Sequence, residues 1–352
     1  MSSLETKVND LNNDLKLIFP KYSKRDHIVF NNLYTILGMC KLYGSTMEDF
    51  FKGEIEKPDF TKLTKADFVE KQRIMEDFFK YIGVDFIVDV PISDGTFEMK
   101  THTLASAVKN PNHVYRGFSG NTDGNEFIKV NNNGLLLDSI IWVHEVAHYR
   151  NSGQYESDER SMLTEAVSFA YEYIFMDYLD QLGYTLDALE FKYLDTYNLF
   201  KNACDSFDIL KLYYVYSLFD DINLENYSKI FDPEYYEETI DSYFNSHKGQ
   251  TTINKIRYAL ASTFSAYMYQ EYKKDKSFIK KLELFNRAII DEPLEDCLQI
   301  IGIINYNDEG LLDEHNIDKL REGILSLKQE LLQDREILNK IKEKEDKELI
   351  ID

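Results

Sequence analysis

The chain has 352 residues, with 62 acidic against 40 basic side chains and a formal net charge of −22. That balance argues against a nucleic-acid binder, because neutralising phosphates takes a basic face. It argues against an anionic membrane surface for the same reason. Hydrophobic residues at 43% are ample for a buried core, so the chain is not read as disordered. Cys40, Cys204 and Cys297 are odd in number and widely spaced, which suits a reducing compartment and neither a disulfide framework nor a cysteine metal cluster. The first residues lack a basic segment followed by an apolar one, so no secretory signal is read. The apolar stretch Leu135 to Val143 is broken by Asp138 and is too short to span a bilayer. The expectation is a cytoplasmic protein.

Only 15 Gly and 6 Pro punctuate the chain, which favours long helices over a many-turned β fold. Residues 1–83 carry mostly helical patterning, with Phe68, Ile74, Phe78 and Ile82 on one stripe. Between about 84 and 131 the runs VDFIVDV, TFEMKT, HVYRGF and EFIKVN are β-type and separated by Asp-Gly, Pro-Asn and Gly-Asn turn chemistry. They predict a small antiparallel sheet. From Gly134 the helical period returns. LLLDSIIWVHEVAHYRN reads as one helix stopping near Gly153, and SMLTEAVSFAYEYIFMDYLDQLGY as the next, ending at Gly183. TINKIRYALASTFSAYMYQEYKKD is a third. Ile317, Leu320, Ile324, Leu327, Leu331, Leu338 and Ile341 recur at helical steps and predict a terminal helix docked on its own domain, in preference to a coiled-coil partner. The expected organisation is an N-terminal helical region with the sheet (1–120), a central domain (121–315) and a C-terminal helix (316–352).

His144-Glu145-Val146-Ala147-His148 carries the chemistry. Residues four apart on a helix share a face, so both imidazoles can bind one Zn²⁺. Glu145 lies about 100° round the axis, within reach of a metal-bound water without occupying the metal. Zinc lowers the pKa of such a water toward ~7, and the carboxylate takes its proton as hydroxide attacks a carbonyl.

A catalytic zinc site needs a third protein ligand, and no histidine follows soon after His148. The acidic candidates are Glu156, Asp158, Glu159, Glu165 and Glu172. The first three fall in the polar run GQYESDER, read as the loop joining two helices. Glu165 sits among Leu163, Ala166, Val167 and Phe169, where a carboxylate facing the core needs a metal or a basic partner. Glu165 is therefore the first choice and Glu172 the reserve.

With that downstream Glu in TEAVSFAYEY, the sequence resembles the thimet oligopeptidase / oligoendopeptidase F family of zinc metallopeptidases, of gluzincin type. EFIKVNNNGLLLDSIIWVHEVAH is similar to the family's edge strand and turn into the active-site helix. YALASTFSAYMYQEYKKDKSFIKKLELF resembles the helix after its substrate-binding loop, and IIGIINYNDEGLLDEHNIDKL its closing segment. The likeness runs through about residues 120–325 in collinear order; residues 1–90 show none. It implies a mainly α, zincin-like fold with a small antiparallel sheet beside the active-site helix, and one Zn²⁺ per chain held by His144, His148 and Glu165. Glu145 is the implied general base. The resemblance also places a histidine and tyrosines before the YALA helix, matched here by His247 and Tyr258, to bind substrate and stabilise the oxyanion.

The chain departs from the family at Ala147, where a glycine is usual, and at Asn254, where a catalytic tyrosine is usual. Asparagine donates a hydrogen bond but lacks a phenol's acidity; Tyr243 is the candidate stand-in. The expected function is zinc-dependent hydrolysis of internal bonds in short peptides, with no nucleic-acid or membrane partner. The alternative is a zinc-binding homologue with weak turnover that binds peptides or regulates. His102 and His113 lack partner spacing and read as structural, and GNTDGN lacks the strand, lysine and helix of a phosphate loop.

Overall fold

The computed structural model describes residues 3–18, 64–84, 100–101, 117–122, 125–132, 134–149, 158–245, 250–303 and 314–349. In chain order these are α1 (Ser3–Ile18), α2 (Phe68–Tyr81), β1 (Lys100–Thr101), β2 (Gly117–Thr122), β3 (Asn125–Asn132), α3 (Asp138–Tyr149) and α4 (Asp158–Gln181). There follow α5 (Thr185–Phe219), α6 (Leu224–Ser228), α7 (Tyr236–Asn245), α8 (Gln250–Lys274), α9 (Ile279–Ala288), α10 (Leu294–Ile300) and α11 (Glu314–Leu349). The architecture is mainly α-helical. Among the described residues no helix is long and apolar enough to cross a membrane.

α4 is the axis of the fold. From Met162 to Met176 it carries Leu, Ala, Val, Tyr, Ile and Phe on all sides, and a helix apolar all round belongs inside. α3, α5 and α8 pack on it, and α11 packs on α8 and α5. The helix ends as expected at Gly183, whose φ of +94° is open to glycine. The Tyr184 N–H then reaches back to the Leu179 carbonyl. It begins earlier than expected, at Asp158, so Asp158 and Glu159 belong to its first turn and not to a loop. Glu156 and Gly153 lie outside the described residues.

The sheet has three strands in the order β1-β3-β2. β2 and β3 pair antiparallel from Gly117↔Val130 to Thr122↔Asn125, and both strands pack beside α3. β1 pairs with β3 in parallel, Lys100↔Asn131 and Thr101↔Asn132, so the sheet is mixed where an antiparallel one was expected. Parallel partners need a long crossover, which turn chemistry between neighbouring runs does not signal.

α3 starts at Asp138, three residues later than the apolar run suggests, because the backbone before it pairs elsewhere. Leu136 N–H donates to the Thr64 carbonyl and Ala66 N–H to the Gly134 carbonyl. The Asp138 carboxylate accepts from Leu135 N–H at 3.1 Å and from Lys71 Nζ at 2.7 Å. The Lys71 and Asp138 side chains are both fully buried, and the ammonium also lies 5.1 Å from the centre of the Trp142 ring. Breaking such a pair costs about 3–5 kcal/mol, because one charge is left uncompensated. At the other end, buried Asn286 donates through Nδ2 to the Ala147 carbonyl at 3.1 Å. The helix bearing the histidines is thus held at both ends.

α11 lays Leu320, Ile324, Leu327, Leu331 and Leu338 into the core, as their spacing predicts. Its closest approach to α8 is at Gly323, where a Cβ would lie 2.7 Å from Tyr267 Cα and 2.9 Å from its nitrogen. A polar cluster fastens the helix two turns on: Lys192 Nζ binds Tyr269 Oη at 2.6 Å and Glu330 at 3.2 Å, and Lys273 binds Glu330 at 2.7 Å. Gly323→Ala is therefore expected to lower the thermal midpoint. Overpacking against backbone costs about 1–3 kcal/mol, against a helix-propensity gain of about 1 kcal/mol. A raised midpoint, as for a solvent-facing helical glycine, would contradict the contact.

Candidate metal centre

One turn of α3 separates His144 from His148 and sets their rings edge to face, with centroids 4.7 Å apart. Their Nε2 atoms are 3.0 Å apart. α4 packs alongside and brings Glu165 Oε2 to 3.3 Å from each of them. The three ligand atoms form a triangle with edges of 3.0, 3.3 and 3.3 Å. Bonds of about 2.0–2.1 Å to a tetrahedral Zn²⁺ require edges of about 3.3 Å. Two imidazoles and a carboxylate are also the donor types that zinc takes. The group can hold a metal ion, and its residues fit zinc.

His144 Nδ1 is hydrogen-bonded to the Glu172 carboxylate. That bond favours the proton on Nδ1, so that Nε2 is the nitrogen available to a metal beside Glu165 and His148, the usual arrangement behind a metal-binding histidine. Glu172, the reserve ligand from sequence, is thus outside the ligand triangle. Seven residues after Glu165 it shares that face of α4, but it meets the far side of the imidazole. Burial, then the charge of Glu172 beside it, pushes the Asp195 carboxyl on α5 well above the usual range.

Burial by itself would lower the His144 pKa, but the Glu172 charge and the bonds to Glu165 and Glu172 hold it well above the ordinary value. Burial would raise Glu165, and the neighbouring His148 and His144 hold it well below.

Glu145 is 5% exposed and follows His144 on α3, outside the ligand triangle. Tyr258 is on α8 and partly buried. Its ring lies 6.1 Å from that of Phe169, which in turn lies 5.3 Å from His144. His247, His102 and His113 lie outside the described residues, and Asn254 is placed only as part of α8. Tyr243 is not a stand-in for the missing tyrosine. It is 2% exposed and its hydroxyl donates to Asp14 at 3.2 Å, in the contact of α7 with α1. Sequence reading missed Lys71, Asn286 and Asp195. Lys71 did leave a signal, a charge on the stripe of Phe68, Ile74 and Phe78.

These shifts set how the metal-free centre responds to pH. His144, raised in the folded state, stabilises fully below its ordinary 6.5 and loses that contribution as pH rises through the raised value. Glu165, depressed, stabilises above its ordinary 4.5 and loses that contribution as pH falls through the lowered value. With chelator present, both contributions are complete between 4.5 and 6.5. Metal needs unprotonated ligands, so the midpoint gained on adding zinc should be larger at about pH 8 than at about pH 6. Thermal unfolding with and without zinc measures both; a zinc shift larger at the lower pH would contradict the ligand set.

The chain matches no protein-family profile and no curated protein. Over most of its length it is similar to solved structures that bear peptidase names. One is Pz peptidase A with an inhibitor, at 13% identity and a TM-score of 0.49, covering 89% of this chain and 59% of that one. Another is a protein assigned as an oligoendopeptidase F from Bacillus anthracis strain Ames, at 11% identity and a TM-score of 0.49, covering 89% and 57%. A further oligoendopeptidase F assignment stands at 13% and 0.47, covering 88% and 58%. The chain spans less than two thirds of the length of each.

Proposed function

We propose that the protein is a zinc metallopeptidase that hydrolyses internal bonds of short peptides, with one Zn²⁺ held by His144, His148 and Glu165. The observation that carries this reading is the ligand triangle of 3.0, 3.3 and 3.3 Å, whose two histidines share a helix turn with Glu145. A bound zinc ion supplies Lewis acidity toward the scissile carbonyl and an acidified water. Glu145 takes the proton from the attacking water and delivers it to the leaving amine. Glu172 fixes the His144 tautomer, with the Asp195 carboxyl of α5 beside it. Tyr258 and His247 complete the proposal as donors to substrate and oxyanion, on the strength of the family resemblance. The negative surface favours basic or neutral peptides over strongly acidic ones. Residues 121–315 form the proposed catalytic domain.

A second reading is a zinc-binding peptide receptor with weak turnover, favoured by Asn254 standing where the family has its tyrosine. Zinc analysis together with digestion of a mixed fluorogenic peptide pool separates the two. The peptidase reading expects about one zinc per chain and cleavage that falls roughly 10²–10⁴-fold in Glu145→Gln with zinc retained. Zinc without cleavage selects the receptor. Cleavage that survives Glu145→Gln, or a purified protein unable to take up zinc, overturns the first reading. Glu172→Ala is expected to weaken zinc affinity about 10–100-fold, read by competition with a chelator. Unchanged affinity would contradict its orienting role.

A further inference from the structure

α4 is closed to solvent along its central length with one exception. Every described side chain from Met162 to Met176 is buried except Phe169, which is partly exposed. The same intermediate exposure recurs at His144 and His148 on α3 and at Tyr258 on α8. These four residues are in contact series. The His144 and Phe169 rings are 5.3 Å apart at 60°, and the Phe169 and Tyr258 rings 6.1 Å apart at 50°. The partly exposed residues therefore run in line from the two histidines to Tyr258, and Phe169 is the apolar side chain among them, four residues after the ligand Glu165 on the same helix face.

Phe169 is not needed to hold His144. That imidazole is fixed by Glu172 at Nδ1 and by the His148 ring beside it. A prop would also be covered, as its neighbours on α4 are. An accessible aromatic ring within one side chain of the metal ligands instead offers apolar contact to whatever lies beside the reacting bond. A charged side chain placed there would lose water without gaining a partner from the ring edge.

We propose that Phe169 is a specificity-determining residue, selecting peptides whose residue next to the scissile bond carries an apolar, above all aromatic, side chain. The inference rests on the peptidase reading above.

The test uses the full zinc-loaded chain and otherwise identical fluorogenic peptides bearing Phe, Leu, Ala or Ser on each side of the cleaved bond. Wild type should favour Phe and Leu over Ala and Ser in kcat/KM. In Phe169→Ala that preference should shrink about tenfold, while cleavage of the Ala and Ser peptides and zinc content hold within about twofold. Phe169→Leu should keep the Leu preference and lose the Phe one. A uniform fall across all peptides, or an unchanged ratio, overturns the proposal. The same peptides are also titrated into zinc-loaded Glu145→Gln, with and without Phe169→Ala, by fluorescence anisotropy. If wild type cleaves nothing, the peptidase reading falls and the binding ratio alone judges Phe169: a tenfold loss of apolar preference upholds it, and no change or no binding overturns it.

Discussion

The hydrogen bond from His144 Nδ1 to Glu172 governs what the rest of the centre can be. It sets the tautomer, the tautomer aims Nε2 at Glu165 and His148, and only then do the three ligand atoms close into a triangle of metal-binding size. Two carboxylates must therefore stand on one face of α4, flanking a single imidazole from α3. That demand explains why α4 is both deeply enclosed and a carrier of charge. Burying Glu165 and Glu172 is tolerable because each has an imidazole to meet, and a lone carboxylate there would be expelled or protonated.

The remaining contacts of α3 follow from the same demand for placement. Its first turn is held by Lys71 and its last carbonyls by Asn286. α8 and α11 close the other side of α4 and α5, drawn together at Gly323 and clasped by Lys192, Tyr269 and Glu330. The small sheet lies beside α3. Around this frame the one partly exposed side chain on the central stretch of α4, among those described, is Phe169.

Much of this was legible in the sequence, for physical reasons that differ from residue to residue. His144 and His148 were readable because their relation is local: four residues on a helix always share a face. Glu165 was readable because a charge inside an apolar run needs a partner. Glu172 carried the same signal, but whether it binds metal or orients a ligand depends on the rotation of α3 against α4, which periodicity does not encode. The parallel strand β1 was missed because its partner lies far along the chain. Tyr243 was offered as a stand-in on nearness in sequence to α8, which says nothing of the Asp14 it meets across the fold. The start of α4 at Asp158 was blurred by a polar first turn, whose acidic residues suit a helix N-terminus as well as a loop.

The Lys71–Asp138 pair has a consequence for how this protein can be divided. A fragment cut near residue 120 would retain every residue of the candidate metal centre. It would also expose Trp142 and leave the Asp138 carboxylate in an apolar site without its ammonium partner. The N-terminal region is in this sense inseparable from the core: its charge is the counterion on which the histidine helix begins, so the smallest unit that positions the histidines must include α2.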